Sequence, residues 1–379
     1  MSMSMAIHLD LSEIIATPIR TGIQRIEREA IRHWPGPAPL VPVCVDGNGQ
    51  LLRLPDGVLD MLCEADSGSL AVRETERSAL QVFLASGKVL ESGEVQRLLN
   101  LELFFNPIRA DAHLRLAANG VRVLWYVYDF LPFLRPDLFE SGTTRHCMHF
   151  LRALRGVTAV AFLSQATRED YVKRIARKTG NGSGQPVLSP GADGLGLEPQ
   201  VFSAARRLFV SIGTLEPRKN PLSLLRAFEV LWSRGIDAPL VLAGRLSPAA
   251  LEEHAFIARH ASDRRLTVME EPSDAALRAV LREARAVVMA SEAEGFGLPP
   301  YEAVYAGIPA IVSASLPSAA LIPAGTMMLA HMTPDAIAAA VERLLDDATA
   351  ERLWAAAAKV RLPTWSDFGR NLGAWAHAA

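Results

Sequence analysis

Short apolar runs punctuate the second half of the chain and alternate with stretches of helical period. The runs at 208–212, 239–243, 266–270, 286–290 and 310–312 are continuous rather than alternating, as strands buried on both faces are. The stretches 221–234, 248–260, 274–284 and 334–345 carry apolar residues at helical spacing. This alternation predicts a doubly wound parallel sheet. The first half is similar but less regular, with strands expected at 6–11, 40–45, 101–105, 121–128 and 158–164. Thr21 and Gln24 stand at capping-box spacing. Ile26, Ala30, Ile31 and Trp34 line one face of the helix that follows, and Pro35 closes it. Residues 46–98 hold helical patches such as 77–84 and no motif. The stretch 194–207 lacks a clear period and reads as an interdomain linker. At the end, Thr364-Trp365-Ser366-Asp367 is a helix cap, and Trp365, Phe368, Leu372 and Trp375 share one helical face.

Composition narrows the class. The 379 residues suggest about two to three domains. Half are apolar, enough for large cores, and a net charge of −2 implies no general affinity for nucleic acid. Cys44, Cys63 and Cys147 are isolated, which points to a reducing compartment and away from a zinc site. Residues 1–15 have no long apolar core, so no signal peptide is expected. No apolar run approaches a bilayer-spanning length. The expected localisation is cytoplasmic. Peripheral contact with the inner face of the cytoplasmic membrane stays open. The basic group Lys173, Arg174, Arg177 and Lys178 could touch anionic head groups or be a solvated helix end.

The chemistry concentrates in Ser291–Glu302. A buried strand leads into Glu294-Gly295-Phe296-Gly297-Leu298-Pro299, and the prolines there fit a helix start. Gly295 and Gly297 let the backbone turn sharply and lie close to a ligand. The new helix points free N–H groups and its positive end into the same space. Glu294 in the loop and Glu302 in the first turn flank this pocket and look like acceptors for hydroxyls. A second loop, Gly213-Thr214-Leu215-Glu216-Pro217-Arg218-Lys219-Asn220-Pro221, follows the first strand of the same half. It sits where ligand loops sit in open sheets. A further turn, Ala243-Gly244-Arg245, ends the next strand. No GxGxxG opens either half and no P-loop exists, which argues against a dehydrogenase or P-loop NTPase. No Asp-x-Asp metal motif stands out.

At these residues the chain resembles the retaining glycosyltransferases of family 4. Glu294 and Glu302 match both ends of the family's Glu, seven residues, Glu pattern. The Gly213–Pro221 loop is similar to the family's GT-x-x-PRKN loop. The resemblance implies the GT-B fold: two Rossmann-like doubly wound α/β domains facing each other across a cleft. It places an acceptor-side domain at 1–200, a nucleotide-sugar domain at 207–362, and a C-terminal helix at 363–379 returning to the first domain. Residues 46–98 would then be a variable insertion near the acceptor side. The resemblance implies a donor site of Gly213, Thr214, Arg218, Lys219, Gly244, Glu294, Gly295, Phe296, Gly297, Leu298 and Glu302. Lys219 would hold the diphosphate while Arg218 points outward. Other branches carry Arg where Thr214 stands, so one cation is missing here. Basic residues and helix dipoles would balance the leaving diphosphate, so neither metal nor cofactor is expected.

Two further stretches resemble the branch of bacterial polysaccharide mannosyltransferases. One is Thr21-Gly22-Ile23-Gln24-Arg25, where Gly22 either approaches the donor diphosphate or the acceptor, or simply opens a capped helix. The other is Tyr128-Asp129-Phe130-Leu131-Pro132. Much of the family has His-Asp there, so no imidazole role carries over. Tyr128 and Asp129 would meet the acceptor, with Asp129 orienting its hydroxyl, taking its proton, or only capping the next turn. The implied catalytic set is Glu294, Lys219 and Asp129. The implied reaction moves a sugar, first choice mannose from GDP-mannose, to a surface glycan or a polyprenyl-diphosphate-linked acceptor. A nucleotide-sugar epimerase of the same fold and a non-catalytic GT-B subunit remain alternatives.

Overall fold

A computed structural model describes residues 6–18, 21–35, 38–64, 70–139, 142–176, 185–248 and 250–379. The chain forms two compact units. Unit 1 takes residues up to Gly191 together with Pro363–Ala379, and unit 2 takes Ala192–Leu362.

Unit 1 is built on seven strands: β1 (Ile7–Asp10), β2 (Leu40–Val45), β3 (Leu51–Arg53), β4 (Lys88–Val89), β5 (Arg97–Asn100), β6 (Arg122–Val127) and β7 (Ala159–Phe162). Their order is β4-β3-β2-β1-β5-β6-β7. The pairs are parallel except for β2–β3 and β3–β4. Residues 46–98 therefore supply an antiparallel edge and the helices Gly57–Glu64 and Leu70–Ala85. Chain order runs outward from β1 to β4, then returns to β5 on the other side of β1. The topological switch point thus lies between β1 and β5.

Two details of this unit differ from the sequence reading. The strand expected at 101–105 starts four residues earlier, at Arg97–Asn100. Leu101 and Phe104 are still buried, but in the loop that follows. That loop turns Glu102 inward, onto the backbone N–H groups of Glu13 and Ile14 at 2.9 and 2.7 Å. The reciprocal capping box at Thr21 is also incomplete. Thr21 accepts from the Gln24 amide, while the Gln24 side chain donates to the Thr17 carbonyl.

The last helix, Trp365–Ala378, packs on the Gly22–Arg32 helix within unit 1. Thr364 and Asp367 form a full capping box. Trp365, Phe368 and Leu372 are buried, and Trp375 is half-buried. A Cβ on Gly369 would lie 2.1 Å from the His33 carbonyl oxygen, so only glycine permits this approach.

Unit 2 is a parallel sheet of β8 (Leu208–Ile212), β9 (Leu240–Ala243), β10 (Leu266–Met269), β11 (Ala284–Met289), β12 (Ala310–Ser313) and β13 (Thr326–Leu329). The order is β10-β9-β8-β11-β12-β13. The runs that read as buried strands are buried, β9, β11 and β12 along their whole length. The switch point here lies between β8 and β11. The stretch read as a linker belongs to this unit. Leu195 and Leu197 are buried, and the Gln200 amide donates to the Ala306 carbonyl at 2.8 Å. Among the described residues no helix is long and apolar enough to cross a membrane. Lys173 and Arg174 pair with Glu169 and Asp170 along their own helix. Arg177 and Lys178 lie outside the described residues.

Candidate active site

In an open α/β sheet, ligands bind beyond the carboxyl ends of the strands at the switch point. In unit 2, β8 and β11 feed two loops there, Gly213–Asn220 and Ala290–Gly297. The loops are bonded to each other. The Glu292 amide donates to the Arg218 carbonyl at 3.0 Å. The Arg218 guanidinium donates to the Ala293 carbonyl at 2.8 Å and to Glu294 Oε2 at 2.9 Å. It also reaches Glu216 Oε1 at 2.7 Å. Ser291 Oγ donates to Glu294 Oε1 at 2.8 Å. Each oxygen of Glu294 therefore carries one fixed donor. The Arg218 and Glu294 side chains are only 17% and 12% exposed. Burial would lower the Arg218 pKa, but Glu294 and Glu216 beside it reverse that and hold it above the usual arginine value.

This corrects one expectation: Arg218 points inward rather than outward. Glu294, read as a hydroxyl acceptor, is also ion-paired within the protein. The guanidinium is stationed at the carboxylate, not displayed in the adjoining cavity.

That cavity is lined by Gly213, Thr214, Lys219, Leu242, Met289 and Ser291, among others. Among the described residues the Lys219 ammonium has no hydrogen-bond or ion-pair partner. Its stem lies across Gly213, where a Cβ would come within 2.6 Å of Nζ. Gly213 has φ 136°, a conformation that favours glycine. Asn220 bends the chain out of the loop with φ 53°, and its Nδ2 donates to the Met332 carbonyl. Asn tolerates this left-handed conformation better than most residues.

The other expected donor residues are held in different ways. A Cβ on Gly244 would lie 2.0 Å from the Gly213 carbonyl oxygen, so that glycine serves loop-to-loop packing. Gly297 adopts φ 94° and would meet Leu316 with a Cβ at 2.6 Å. The space where its side chain would be is thus taken by Leu316. Ser318 fixes this turn, its amide on the Phe296 carbonyl and its hydroxyl on the Gly297 carbonyl, both at 2.9 Å. The Phe296 ring is buried edge-on against Tyr301. Gly295 and Leu298 are half-buried in the loop and at the first position of the Leu298–Tyr305 helix. Glu302 is the fifth residue of that helix, beyond its first turn, and 2% exposed. Burial, then the Glu302 charge, raises the neighbouring Tyr301 phenol. The structure thus gathers Gly213, Thr214, Lys219 and Ser291 around one cavity and joins Arg218 and Glu294 beside it. Sequence reasoning missed Ser291, Glu216 and Asn220. A Ser three residues before the loop carboxylate was the available signal for the first.

Unit 1 carries the remaining candidates. Gly22 is exposed at the first position of its helix. Tyr128 is turned into the core, 3% exposed, and its hydroxyl donates to the Leu101 carbonyl at 2.5 Å. Its phenol does not face an acceptor, a correction that follows from its place at the end of a strand buried on both faces. Asp129 is half-buried, and its Oδ1 accepts the Leu131 amide at 2.9 Å, so it does cap the next turn.

At the switch point of unit 1 stands a buried ionic network. Arg109 Nε donates to Asp10 Oδ2 at 2.8 Å, and its Nη2 donates to Asn100 Oδ1 and Glu102 Oε2 at 2.8 and 2.5 Å. His113 Nδ1 accepts from Trp125 Nε1 at 3.0 Å, which leaves Nε2 to donate to Asp10 Oδ2 at 2.7 Å. Burial would raise the Asp10 pKa, but Arg109 and the His113 and Ser12 bonds hold it below the ordinary carboxylate range. Glu27 is fully buried beside this network. Burial, reinforced by the Glu102 charge, lifts its pKa well above the usual value. Among the described residues no three His, Cys, Asp or Glu side chains gather as a metal-ligand cluster.

Comparison with known proteins follows this geometry. Residues 198–361, which lie within unit 2, match the model of the glycosyl transferases group 1 family. The chain is 28% identical over 215 residues to a serotype-specific mannosyltransferase, WbdA, of Escherichia coli. That alignment covers 52% of this chain and 26% of that protein. The chain thus spans about a quarter of the length of the curated relatives it matches. Among solved structures it resembles Anabaena Alr3699/HepE in complex with UDP and glucose, with TM-score 0.66, 14% identity and 98% of each chain covered. It also resembles sucrose-phosphate synthase from Thermosynechococcus elongatus, with TM-score 0.67, 16% identity and 98% of each chain covered. The fold is that of GT-B glycosyltransferases, and the sequence resembles their mannosyltransferase branch.

Proposed function

We propose that the chain transfers a sugar from a nucleotide sugar to an acceptor hydroxyl, with retention at the anomeric carbon and without a metal ion. The observation that carries this reading is the Lys219 ammonium in the switch-point cavity, without a partner among the described residues, beside a loop carboxylate held by two donors. A cation with no protein partner suits a diphosphate. A carboxylate with one donor on each oxygen keeps lone pairs for sugar hydroxyls.

In this reading the bond between the anomeric carbon and the diphosphate oxygen breaks, and its electron pair stays on the leaving oxygen. Lys219 and the start of the Leu298–Tyr305 helix stabilise the growing charge, which is larger in the transition state than in the bound donor. The acceptor oxygen bonds to the same face of the anomeric carbon. Its proton passes to the departing diphosphate. Glu294 holds the sugar hydroxyls, Glu302 accepts from the ribose, and Asp129 orients the acceptor. GDP-mannose is the first choice of donor, from the Thr21–Arg25 and Tyr128–Pro132 variants and the similarity to a mannosyltransferase. The acceptor class is a surface glycan or a polyprenyl-diphosphate-linked glycan.

The test is a thermal-shift panel of GDP, UDP and their sugars, followed by turnover of the stabilising donor with and without chelator. Release of nucleoside diphosphate, unchanged by chelator, supports the reading. Conversion of the sugar with no diphosphate release would mark an epimerase. Loss of activity with chelator would overturn the metal-free account.

A further inference from the structure

We propose that Arg218 is a positioning residue that aims Glu294 at the donor sugar, and not a ligand of the diphosphate. This rests on the glycosyl-transfer reading above. The two neighbouring cations of the loop are treated oppositely by the fold. Among the described residues Lys219 has no partner at the cavity. Arg218 is folded back, and its Nη1 spends both hydrogens, one on the Ala293 carbonyl and one on Glu294 Oε2. Its Nη2 is drawn to Glu216. To reach a phosphate, the guanidinium would have to release Glu294 into a site where that side chain is largely buried. An unpaired buried carboxylate is costly.

Arg218 also accepts the Glu292 amide through its own carbonyl, so side chain and backbone clamp the same loop. Ser291 holds the opposite oxygen of Glu294. The carboxylate is thereby fixed in rotation and depth. Its remaining lone pairs point in set directions, which selects the sugar hydroxyls it can accept. The planar fork matters here, because it meets Ala293 and Glu294 from Nη1 and Glu216 from Nη2, a fixed spread that a single ammonium nitrogen does not reproduce.

The test measures hydrolysis of GDP-mannose and UDP-glucose, together with calorimetric titration of GDP and UDP. The proteins are wild type, Arg218→Ala, Arg218→Gln, Lys219→Ala, Glu294→Gln and the double variant Arg218→Ala/Glu294→Gln. Losing a charge-assisted hydrogen bond should lower kcat of Arg218→Ala about tenfold to a hundredfold. Nucleoside diphosphate affinity should stay within about threefold, the scale of a contact not made. Arg218→Gln, which keeps donors in the loop, should recover part of kcat and secures the result if the alanine variant misfolds. In the Glu294→Gln background, Arg218→Ala should cost less than about threefold, because the two act as one unit. A diphosphate affinity weakened as much in Arg218→Ala or Arg218→Gln as in Lys219→Ala would overturn the proposal. So would additive losses in the double variant. Wild type that binds neither nucleotide and turns over neither donor would instead remove the glycosyl-transfer reading itself.

Discussion

The two units solve one topological problem in opposite ways. Each has an open sheet whose strand order reverses, between β1 and β5 in unit 1 and between β8 and β11 in unit 2. A reversal leaves a crevice where neighbouring connections diverge. In unit 2 the crevice is kept open, walled by Gly213 and Ser291 with the Lys219 ammonium in it. In unit 1 it is filled by the protein's own charges. The Glu102 carboxylate sits on the Glu13 and Ile14 amides, as a ligand anion would, and Arg109 closes over it. The same sheet architecture therefore gives one unit able to receive an anion and one that already contains its own. Charge that is paired within the protein, as Asp10 and Glu102 are with Arg109, is placed to act on stability.

Substituting the cation at each switch point separates these roles, and the largest effect should come from the filled one. Arg109→Met would leave Asp10 and Glu102 buried without their counter-ion. Breaking a buried pair in this way costs about 3–5 kcal/mol. Chemical denaturation should report that loss, whereas Lys219→Met should change stability by less than about 0.5 kcal/mol, as surface changes do. Equal destabilisation by the two substitutions would remove the contrast.

The open switch point is broken by Lys219→Ala. Its kcat should fall about a hundredfold to a thousandfold, the scale for one electrostatic stabiliser. Donor affinity should weaken less, and Lys219→Arg should restore part of the rate. Initial rates of nucleoside diphosphate release measure this. A variant as fast as wild type would show that the unpartnered ammonium is not engaged with the leaving group.

Glu302 sharpens the comparison, since it is as buried as the residues of the unit 1 network yet belongs to unit 2. If it serves the ribose, Glu302→Ala should weaken nucleoside diphosphate binding about tenfold to a hundredfold, from the loss of about 1.5–3 kcal/mol in a charged hydrogen bond. Calorimetry on a variant with an intact fold decides this. Unchanged affinity would assign Glu302 to the protein interior, with Asp10 and Glu102.

The open site was far more legible in the sequence than the filled one. Unit 2 announces itself because its strands are continuous apolar runs and its loops follow them directly, so the two loops could be placed from order, while Lys219 and Glu294 were picked out by the resemblance of those loops to the family's. The inward turn of Arg218 was not legible, because an Arg-Lys pair in a polar loop does not reveal which member faces a carboxylate many residues away. In unit 1, Asp10, Glu102, Arg109 and His113 are scattered along the chain, and only the return of β5 beside β1 brings them together. Leu101–Phe105 read as a strand because its residues are apolar. Yet Glu102 is what the fold needs there, and one inward carboxylate ends the strand. Tyr128 misled for a related reason: the end of a strand is the right place for a ligand contact, but side-chain direction decides whether one is made.

The smallest effect expected is also the most specific to the filled switch point. Glu27 is fully buried, and Glu102 and Asp10 raise its pKa further while Arg109 and Arg28 oppose them. The balance favours the protonated acid in the folded protein. Unfolded, the group titrates at about 4.3. Between that value and the raised folded one, the native state keeps a proton that the unfolded state releases. Stability must then fall as pH rises through this window. Glu27→Gln keeps the shape of the neutral acid and removes the titration. Near pH 3, well below the unfolded value, the variant and wild type should melt together, because both carry an essentially neutral side chain in either state. As pH rises toward 7, the variant should become progressively the more stable of the two. Melting temperatures of both proteins across that range measure the difference directly. A difference that does not change with pH would show that Glu27 does not keep its proton on folding. A variant less stable at pH 7 would show that it is ionised and held by Arg109, so that the network of unit 1 contains one more charge than its geometry implies.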